Sequence, residues 1–332
     1  MTAPADSDPE TPAIECTVGD EDAGRRLDAY LAGREPDHSR GAVQAWIRAG
    51  RVTVDGRPAS PSTRLAAGAE VRYRPAPPTR AERWTPEPVP LNIVHEDADI
   101  VVIDKPAGLV VHPGAGNATG TLVAGTLYRY PETERVPRAG IVHRLDKDTT
   151  GLMVVARSER AHLALSRDIA ARRVTRAYFA VANHPMVAGQ TIDAPIARHP
   201  VDRLKMAVVA AHDPRGRPAR THLRVAAHFR RHTALDCALE TGRTHQIRVH
   251  LAHLGHPLVG DRTYGGRPLL PPDPHPDLAR RLPEFPRQAL HARRLVLSHP
   301  GTGTEAAFES PLPADLEALV AALAVDRDTH GG

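Results

Sequence analysis

Pro75, Pro77, Pro78, Pro86, Pro88 and Pro90 crowd one short stretch of this 332-residue chain. Proline lacks a backbone N–H and fixes φ, so neither a helix interior nor a central strand can run through such a stretch. The chain must fold on either side of it, as two units joined by an extended linker. A length of 332 residues agrees, at about two domains. Residues 16–78 are expected to form the first unit, 79–90 the linker and 91–325 the second. Residues 1–15 carry Asp6, Asp8, Glu10 and Glu15 without periodicity and read as a disordered acidic tail, with a second short tail at 326–332.

The first unit reads as two short helices and a β ribbon. Leu27, Tyr30 and Leu31 recur at helical spacing after Gly24-Arg25-Arg26. Ser39 suits the N-cap of a second helix that gathers Val43, Trp46 and Ile47 on one face and ends at Gly50. That helix presents Arg40 and Arg48 and leads into Arg51. Val52 and Val54 alternate into Asp55-Gly56, a two-residue hairpin signal, and Val71 with Tyr73 makes another short strand. In the second unit, strands are expected at 93–94, 100–103, 109–111, 152–155 and 178–181, and helices at 160–171 and 314–324. The Pro-rich segment 268–286 reads as an excursion loop. Strands separated by irregular loops, with few regular helices, argue for an α+β fold rather than strict βαβ alternation.

Composition excludes several classes. Cys16 and Cys237 have no second cysteine at metal-site or redox spacing, so a disulfide scaffold and a zinc ribbon are ruled out. No apolar run reaches the roughly 18 residues needed to span a bilayer. The first fifteen residues lack both the positive start and the apolar stretch of a secretory signal, so a soluble cytoplasmic protein is expected. Net charge is only +4, yet of 43 basic residues just Lys105, Lys147 and Lys205 are lysines, leaving 40 arginines. Arginine's planar fork suits phosphate, which fits an RNA or DNA partner. A bias toward GC-rich codons explains the same excess, and composition alone does not separate the two.

Two polar runs concentrate the candidate chemistry. The first, Gly140-Ile141-Val142-His143-Arg144-Leu145-Asp146-Lys147-Asp148-Thr149-Thr150-Gly151, is a charged loop between apolar strands. A solvated turn with local ion pairs is its plain alternative. The second, Thr241-Gly242-Arg243-Thr244-His245-Gln246-Ile247-Arg248-Val249-His250, offers donors for phosphate or for a carboxylate of the first loop. His245, His250, His253 and His256 also raise a metal site, with His250 and His253 on one helical face. The metalloprotease pattern needs a Glu beside the first His of an i, i+4 pair, and none is present, so structural or RNA-facing histidines are expected and no metal.

The run His143-Arg144-Leu145-Asp146 with Thr149-Thr150-Gly151-Leu152 resembles the signature loop of the RluA-type pseudouridine synthases. Asp104-Lys105-Pro106-Ala107-Gly108-Leu109-Val110-Val111-His112-Pro113 resembles that family's first motif, Arg176-Ala177-Tyr178 its tyrosine motif, and 242–250 its basic motif. Gly255-His256-Pro257-Leu258-Val259-Gly260-Asp261 continues the match, in the same order and spacing. Thr150 stands where many members carry Ser. Ser39-Arg40, Arg48-Ala49-Gly50 and Val52-Thr53-Val54-Asp55-Gly56 resemble a small RNA-binding fold first seen in a small-subunit ribosomal protein. The resemblance covers about residues 16–325.

What the resemblance implies is specific. The fold would be a small helix–helix–β RNA-binding module and a catalytic domain on a mixed, mostly antiparallel sheet with flanking helices. The reaction would be isomerisation of uridine to pseudouridine, most often in large-subunit ribosomal RNA, with transfer RNA as the alternative target. Bond breakage, base rotation and C–C bond formation leave the atoms and oxidation state unchanged, so no cofactor is needed. Motif position makes Asp146 the nucleophile, on either the ribose or the uracil ring, with Asp148 as its rival by chemistry alone. Arg248 would stabilise the Asp146 charge where water is excluded. Tyr178 would stack on the target base and assist proton loss from carbon 5. Arg144 would enter the space left when the base flips out, Arg243 would bind phosphate, and Arg40, Arg48 and Arg51 would hold structured RNA. Lys105-Pro106 would shape a turn. A monomer is expected. The readings from other classes are a non-catalytic RNA-binding ribosome-assembly factor, against which Asp146, Tyr178 and Arg248 speak together, and a metal-dependent hydrolase.

Overall fold

A computed structural model describes residues 13–35, 40–75, 84–113, 117–202 and 205–330. The chain divides into two units between residues 83 and 84. Each has its own core, as the proline-rich stretch requires.

In the first unit, β1 (Ile14–Thr17) precedes α1 (Leu27–Arg34) and α2 (Arg40–Arg48), followed by β2 (Val52–Val54), β3 (Arg57–Pro58) and β4 (Glu70–Tyr73). The antiparallel sheet runs β1-β4-β2-β3. Asp55 and Gly56 both take positive φ, 49° and 71°, which the tight β2–β3 hairpin demands. Leu27, Tyr30 and Leu31 from α1 and Val43, Trp46 and Ile47 from α2 meet Val52 and Val71 in one apolar cluster. Full burial of each large side chain stabilises by about 1.5–3 kcal/mol. Buried Asp28 accepts a 2.7 Å bond from Gln44 Nε2 and a 3.1 Å bond from Arg26 Nε, tying the two helices together. Ser39 lies outside the described residues, as does the side chain of Arg40.

The second unit is built on nine strands. They are β5 (Ile93–Glu96), β6 (Ile100–Lys105), β7 (Thr150–Ala156), β8 (Thr175–Asn183), β9 (Thr191–Asp193), β12 (Arg220–His228), β13 (His232–Leu239), β14 (Leu290–Ser298) and β15 (Glu305–Glu309), with β10 (Ile196–Arg198) and β11 (Met206–Val208) as a separate ribbon. The order is β5-β6-β7-β14-β8-β13-β12-β9, with β15 on the outer half of β14. All pairings are antiparallel except β7 with β14. Among the described residues, five α-helices complete it: α3 (Leu122–Arg129), α4 (Glu159–Ala170), α5 (Gln246–His253), α6 (Pro276–Glu284) and α7 (Ala314–Thr329). Residues 100–103 of β6 and 152–156 of β7 read as unbroken apolar runs because both faces of these strands are covered. Val101, Ile103, Met153 and Val155 pack with Leu122, Val123 and Leu127 of α3, while Ile100, Val102, Leu152 and Val154 pack with Ala161 and Leu165 of α4. On β8, Tyr178 and Ala180 join the first face and Phe179 and Val181 pack toward α6 and α7.

Five expectations need correction. Residues 109–111 are irregular rather than a strand, because the carbonyls of Val110 and Val111 accept the N–H groups of Leu122 and Val123 at the start of α3. Segment 268–286 is not only a loop: Pro276 suits a first helical turn, and Leu278 and Leu282 of α6 pack on Leu316 and Leu319 of α7. Ile14 and Glu15 belong to β1, paired with Tyr73 and Arg72, rather than to a tail, while residues 1–12 lie outside the described set. The C-terminal helix continues past 325 to Thr329, because Asp326 is buried and accepts bonds from Arg230 and from the His275 N–H. In the expected linker, Trp84 packs on the second core and the Glu87 N–H donates to the Ala124 carbonyl, so 84–90 belongs to the second unit; residues 76–83 lie outside the described set.

Candidate active site

The charged loop 143–149 enters β7 at Thr150, and the backbone of the next residue, Gly151, requires glycine. Gly151 has φ of 109°, and a Cβ would stand 2.3 Å from the Ala292 carbonyl oxygen of the parallel neighbour β14. The loop is pinned from several sides. His143 Nε2 accepts the Val154 N–H at 3.0 Å, and the Thr149 N–H returns to the Asp146 carbonyl at 3.1 Å. Gln288 Nε2 donates to Thr149 Oγ1 at 3.0 Å, and Thr150 Oγ1 lies 2.9 Å from His291 Nδ1. The ammonium of fully buried Lys105 donates to the carbonyls of Pro106, Leu109 and Lys147 at 2.8–3.0 Å. Burial pushes the Lys105 amine down to about 7. Lys105 does more than shape its own turn: it ties the first motif to the loop that carries Asp146.

The second run forms α5 and its approach. Gln246 braces it, its Oε1 accepting from Thr241 Oγ1 at 2.7 Å and from the Arg243 N–H at 3.0 Å. Arg248 points from α5 at two carboxylates. Its Nη1 donates to Asp146 Oδ2 at 2.9 Å, while Nε and Nη2 grip Asp261 at 2.7 and 2.9 Å. Burial opposes the charge on both partners, but their pairing outweighs it: Asp261 is held below the usual carboxylate range and Arg248 is raised. Asp261 also accepts the N–H groups of Thr263 and Tyr264, which fixes the turn that carries it. Tyr264 lies over the Arg248 guanidinium, 5.1 Å from its ring centroid.

A cavity of about 440 Å³ opens on this pair. Tyr178 lines it, 6% exposed, with its phenol pushed up to about 12, first by burial. Exposed Arg144 lines it too, as does Arg243, whose Nε donates to the Pro218 carbonyl at 3.0 Å. Thus Asp146, Tyr178, Arg248, Arg144 and Arg243 share one cavity. Asp148 lies on a neighbouring depression with Arg262 and Arg287 and does not line this one. Arg48 and Arg51 belong to the first unit, where Arg48 is exposed and Arg51 half-buried.

The four histidines of 245–256 separate. His250 is buried between Thr221 Oγ1 and the Ala194 carbonyl, His256 Nδ1 lies 3.3 Å from the Asn183 carbonyl, and His253 is exposed. His245 alone faces the site, its Nε2 3.9 Å from Asp146 Oδ1. Among the described residues, ligand-type groups of three side chains converge elsewhere, at His95, Asp97 and His299. There His299 Nδ1 accepts the N–H groups of Gly301 and Thr302, which leaves its ring proton on Nε2, toward Asp97. A lone pair is thus not presented to a cation. Local sequence signals no role for Asp261, Tyr264 or Arg176: Asp261 ends the run Gly255–Asp261, but nothing near it shows that it faces Arg248.

Comparison with known proteins agrees with this geometry. Residues 99–253 match the RNA pseudouridylate synthase family and residues 25–71 match the S4 domain. The chain is 51% identical over 309 residues to a ribosomal large subunit pseudouridine synthase D of Pseudomonas aeruginosa, covering 93% of this chain and 95% of the relative. It is 48% identical over 318 residues to the protein of that description in Escherichia coli strain K12, covering 96% of each. Among solved structures, Human RNA Pseudouridylate Synthase Domain Containing 4 superposes with a TM-score of 0.55 at 28% identity, over 70% of this chain and 93% of that one. With an ordered set of motif residues gathered in one cavity and near-full-length relatives at about half identity, the chain belongs to the RNA pseudouridine synthase family.

Proposed function

We propose that this enzyme converts uridine to pseudouridine in large-subunit ribosomal RNA, with Asp146 as the nucleophile. The observation that carries the reading is the 2.9 Å bond from Arg248 to Asp146 inside a cavity that Tyr178 lines. A carboxylate facing a polyanion is unfavourable for plain binding, and a guanidinium that is itself anchored on Asp261 holds it aimed into the cavity. The remaining Asp146 oxygen is left to attack the ribose or the uracil ring. Tyr178 offers a rigid apolar face for the extruded base and a hydroxyl that keeps its proton at neutral pH. Extruding the base costs a few kcal/mol, and Arg144, exposed and lining the cavity, fills the gap in the stack.

The target follows from the relatives, which are ribosomal large subunit pseudouridine synthases. An S4 domain gives a second grip on structured RNA, through Arg40, Arg48 and Arg51. The test is tritium release from uracil labelled at carbon 5, with unmodified large-subunit ribosomal RNA and transfer RNA offered separately. Release from the ribosomal RNA alone supports the reading. Release from transfer RNA alone moves the target, and no release from either removes the activity.

A further inference from the structure

Three arginines are buried among the described residues: Arg176, Arg248 and Arg287. Two obey one rule. Arg248 grips Asp261 with two donors, and Arg287 grips Asp315 with two donors at 2.7 and 2.8 Å. Arg176 breaks it. The residue is 6% exposed, its Nε has no hydrogen-bond partner, and its guanidinium makes one long contact, 3.4 Å from Nη2 to the Glu240 carbonyl. Among the described residues, no carboxylate comes within ion-pair distance of it. The nearby Glu240 carboxylate is engaged by Arg172 at 2.7 Å, His222 at 2.8 Å and Arg220 at 3.5 Å. Burying a charge without a partner is costly, so a fold that keeps one has a use for it.

Position says what the use is. Arg176 stands two residues before Tyr178 on β8, so both side chains project from one face, and both line the cavity. At Gly242 a Cβ would stand 2.7 Å from Arg176 Nη1, so a residue without a side chain leaves the guanidinium its room. Arg172 and Arg243 line the same wall, and Arg172 is held there with φ of 60°, a left-handed conformation uncommon outside glycine. A planar fork with free donors, in a cavity that two further guanidinium groups also line, matches a phosphodiester and not a neutral base.

We infer that Arg176, with Arg172 and Arg243, forms a phosphate subsite that binds the RNA backbone beside the uridine in the cavity. The inference rests on the cavity being the uridine site. The uncompensated charge is neutralised when RNA binds, so the subsite favours the bound complex over the free enzyme. It also fixes the backbone from which the base rotates toward Tyr178 and Asp146.

The experiment compares wild type with Arg176→Met, Arg176→Gln and Arg176→Lys in the full chain, using large-subunit ribosomal RNA as the probe. Thermal stability without RNA, RNA affinity against salt, and tritium release are each measured. Removing an unpaired buried charge leaves the free-protein Tm of Arg176→Met unchanged or higher. Loss of one charge-assisted contact weakens RNA binding about 10- to 100-fold, and the slope of log affinity against log salt falls by about one. Arg176→Lys keeps the slope, because its charge remains, while kcat/KM falls. If Arg176→Met does not fold, Arg176→Gln carries the same comparison. A neutral variant that folds with an unchanged salt slope overturns the inference, as does a lower Tm without any loss of RNA affinity. Because the slope is read by binding, it stands apart from the activity: a wild type that binds RNA but releases no tritium defeats the uridine reading and not the phosphate one.

Discussion

Arg248 donates to Asp146 at 2.9 Å with one nitrogen and to Asp261 with its other two. Asp146 thus faces a guanidinium that is already fixed on its far side, and Asp261 is the residue that fixes it. Asp261→Asn should leave Arg248 with a single charged partner and free to rotate. Breaking a buried pair of this kind destabilises by about 3–5 kcal/mol. The expected result is a lower Tm together with a fall in kcat that exceeds any change in KM. Unchanged kcat in the folded variant would show that Arg248 needs no anchor.

Tyr264 couples a second group to the site. Its hydroxyl receives the Met206 N–H at 2.8 Å and lies 2.8 Å from His245 Nδ1. When the hydroxyl donates to Nδ1, the ring proton of His245 is on Nε2, facing Asp146 Oδ1. Tyr264→Phe removes that control while keeping the ring over Arg248. One such hydrogen bond is worth about 0.5–1.5 kcal/mol, so kcat should fall roughly 2- to 10-fold with KM little changed. Steady-state kinetics on one RNA substrate check it, and a change confined to KM speaks against it.

Two histidines contribute to the loss of stability in acid. Desolvation, then the Arg176 charge, pushes His143 down to about 3; burial first, then His184 and Arg231, pushes His232 down to about 4. Between these values and the unfolded value near 6.5, the unfolded chain binds more protons than the native one. Stability therefore falls as pH drops from about 6.5 toward 4. His143→Gln retains an acceptor for the Val154 N–H but no longer titrates, so its stability should decline less over that window. Denaturant unfolding at several pH values measures this, and parallel curves for the two proteins contradict it.

The separate cores predict separable roles. Residues 84–332 should fold without residues 1–83, because the apolar clusters of the second unit draw on no residue of the first. RNA affinity should fall and its salt slope should shrink, while tritium release at saturating RNA persists. Equal affinity for truncated and full chains would overturn the RNA-binding role proposed for Arg40, Arg48 and Arg51.

The parts of this enzyme that were legible in its sequence are those written locally. Asp55-Gly56 specifies its hairpin, Val43, Trp46 and Ile47 specify one helix face, and the runs around Asp146, Tyr178 and Arg248 stand out as short polar or motif stretches whose residues line one cavity. Apolar 109–111 misleads as a strand because its hydrophobic residues pack beneath α3 while its carbonyls hold that helix's first N–H groups. Helix α6 hides among prolines because Pro276 and Pro283 sit at its two ends, where a helix tolerates them or stops. Asp261 and Arg176 acquire meaning only from partners that strand order brings close, or fails to bring close. No local pattern distinguishes an arginine that has a carboxylate from one that lacks it.

The central claim is that Asp146, held by Arg248, forms the bond to the nucleoside. Asp146→Asn preserves the shape of the side chain and leaves Arg248 paired with Asp261, so the fold should persist with an unchanged Tm. Tritium release from carbon-5-labelled large-subunit ribosomal RNA, measured with enzyme in excess, tests it most directly. The account predicts a loss of at least about 1,000-fold, as for removal of other covalent nucleophiles. Release by Asp146→Asn at the wild-type rate would contradict it.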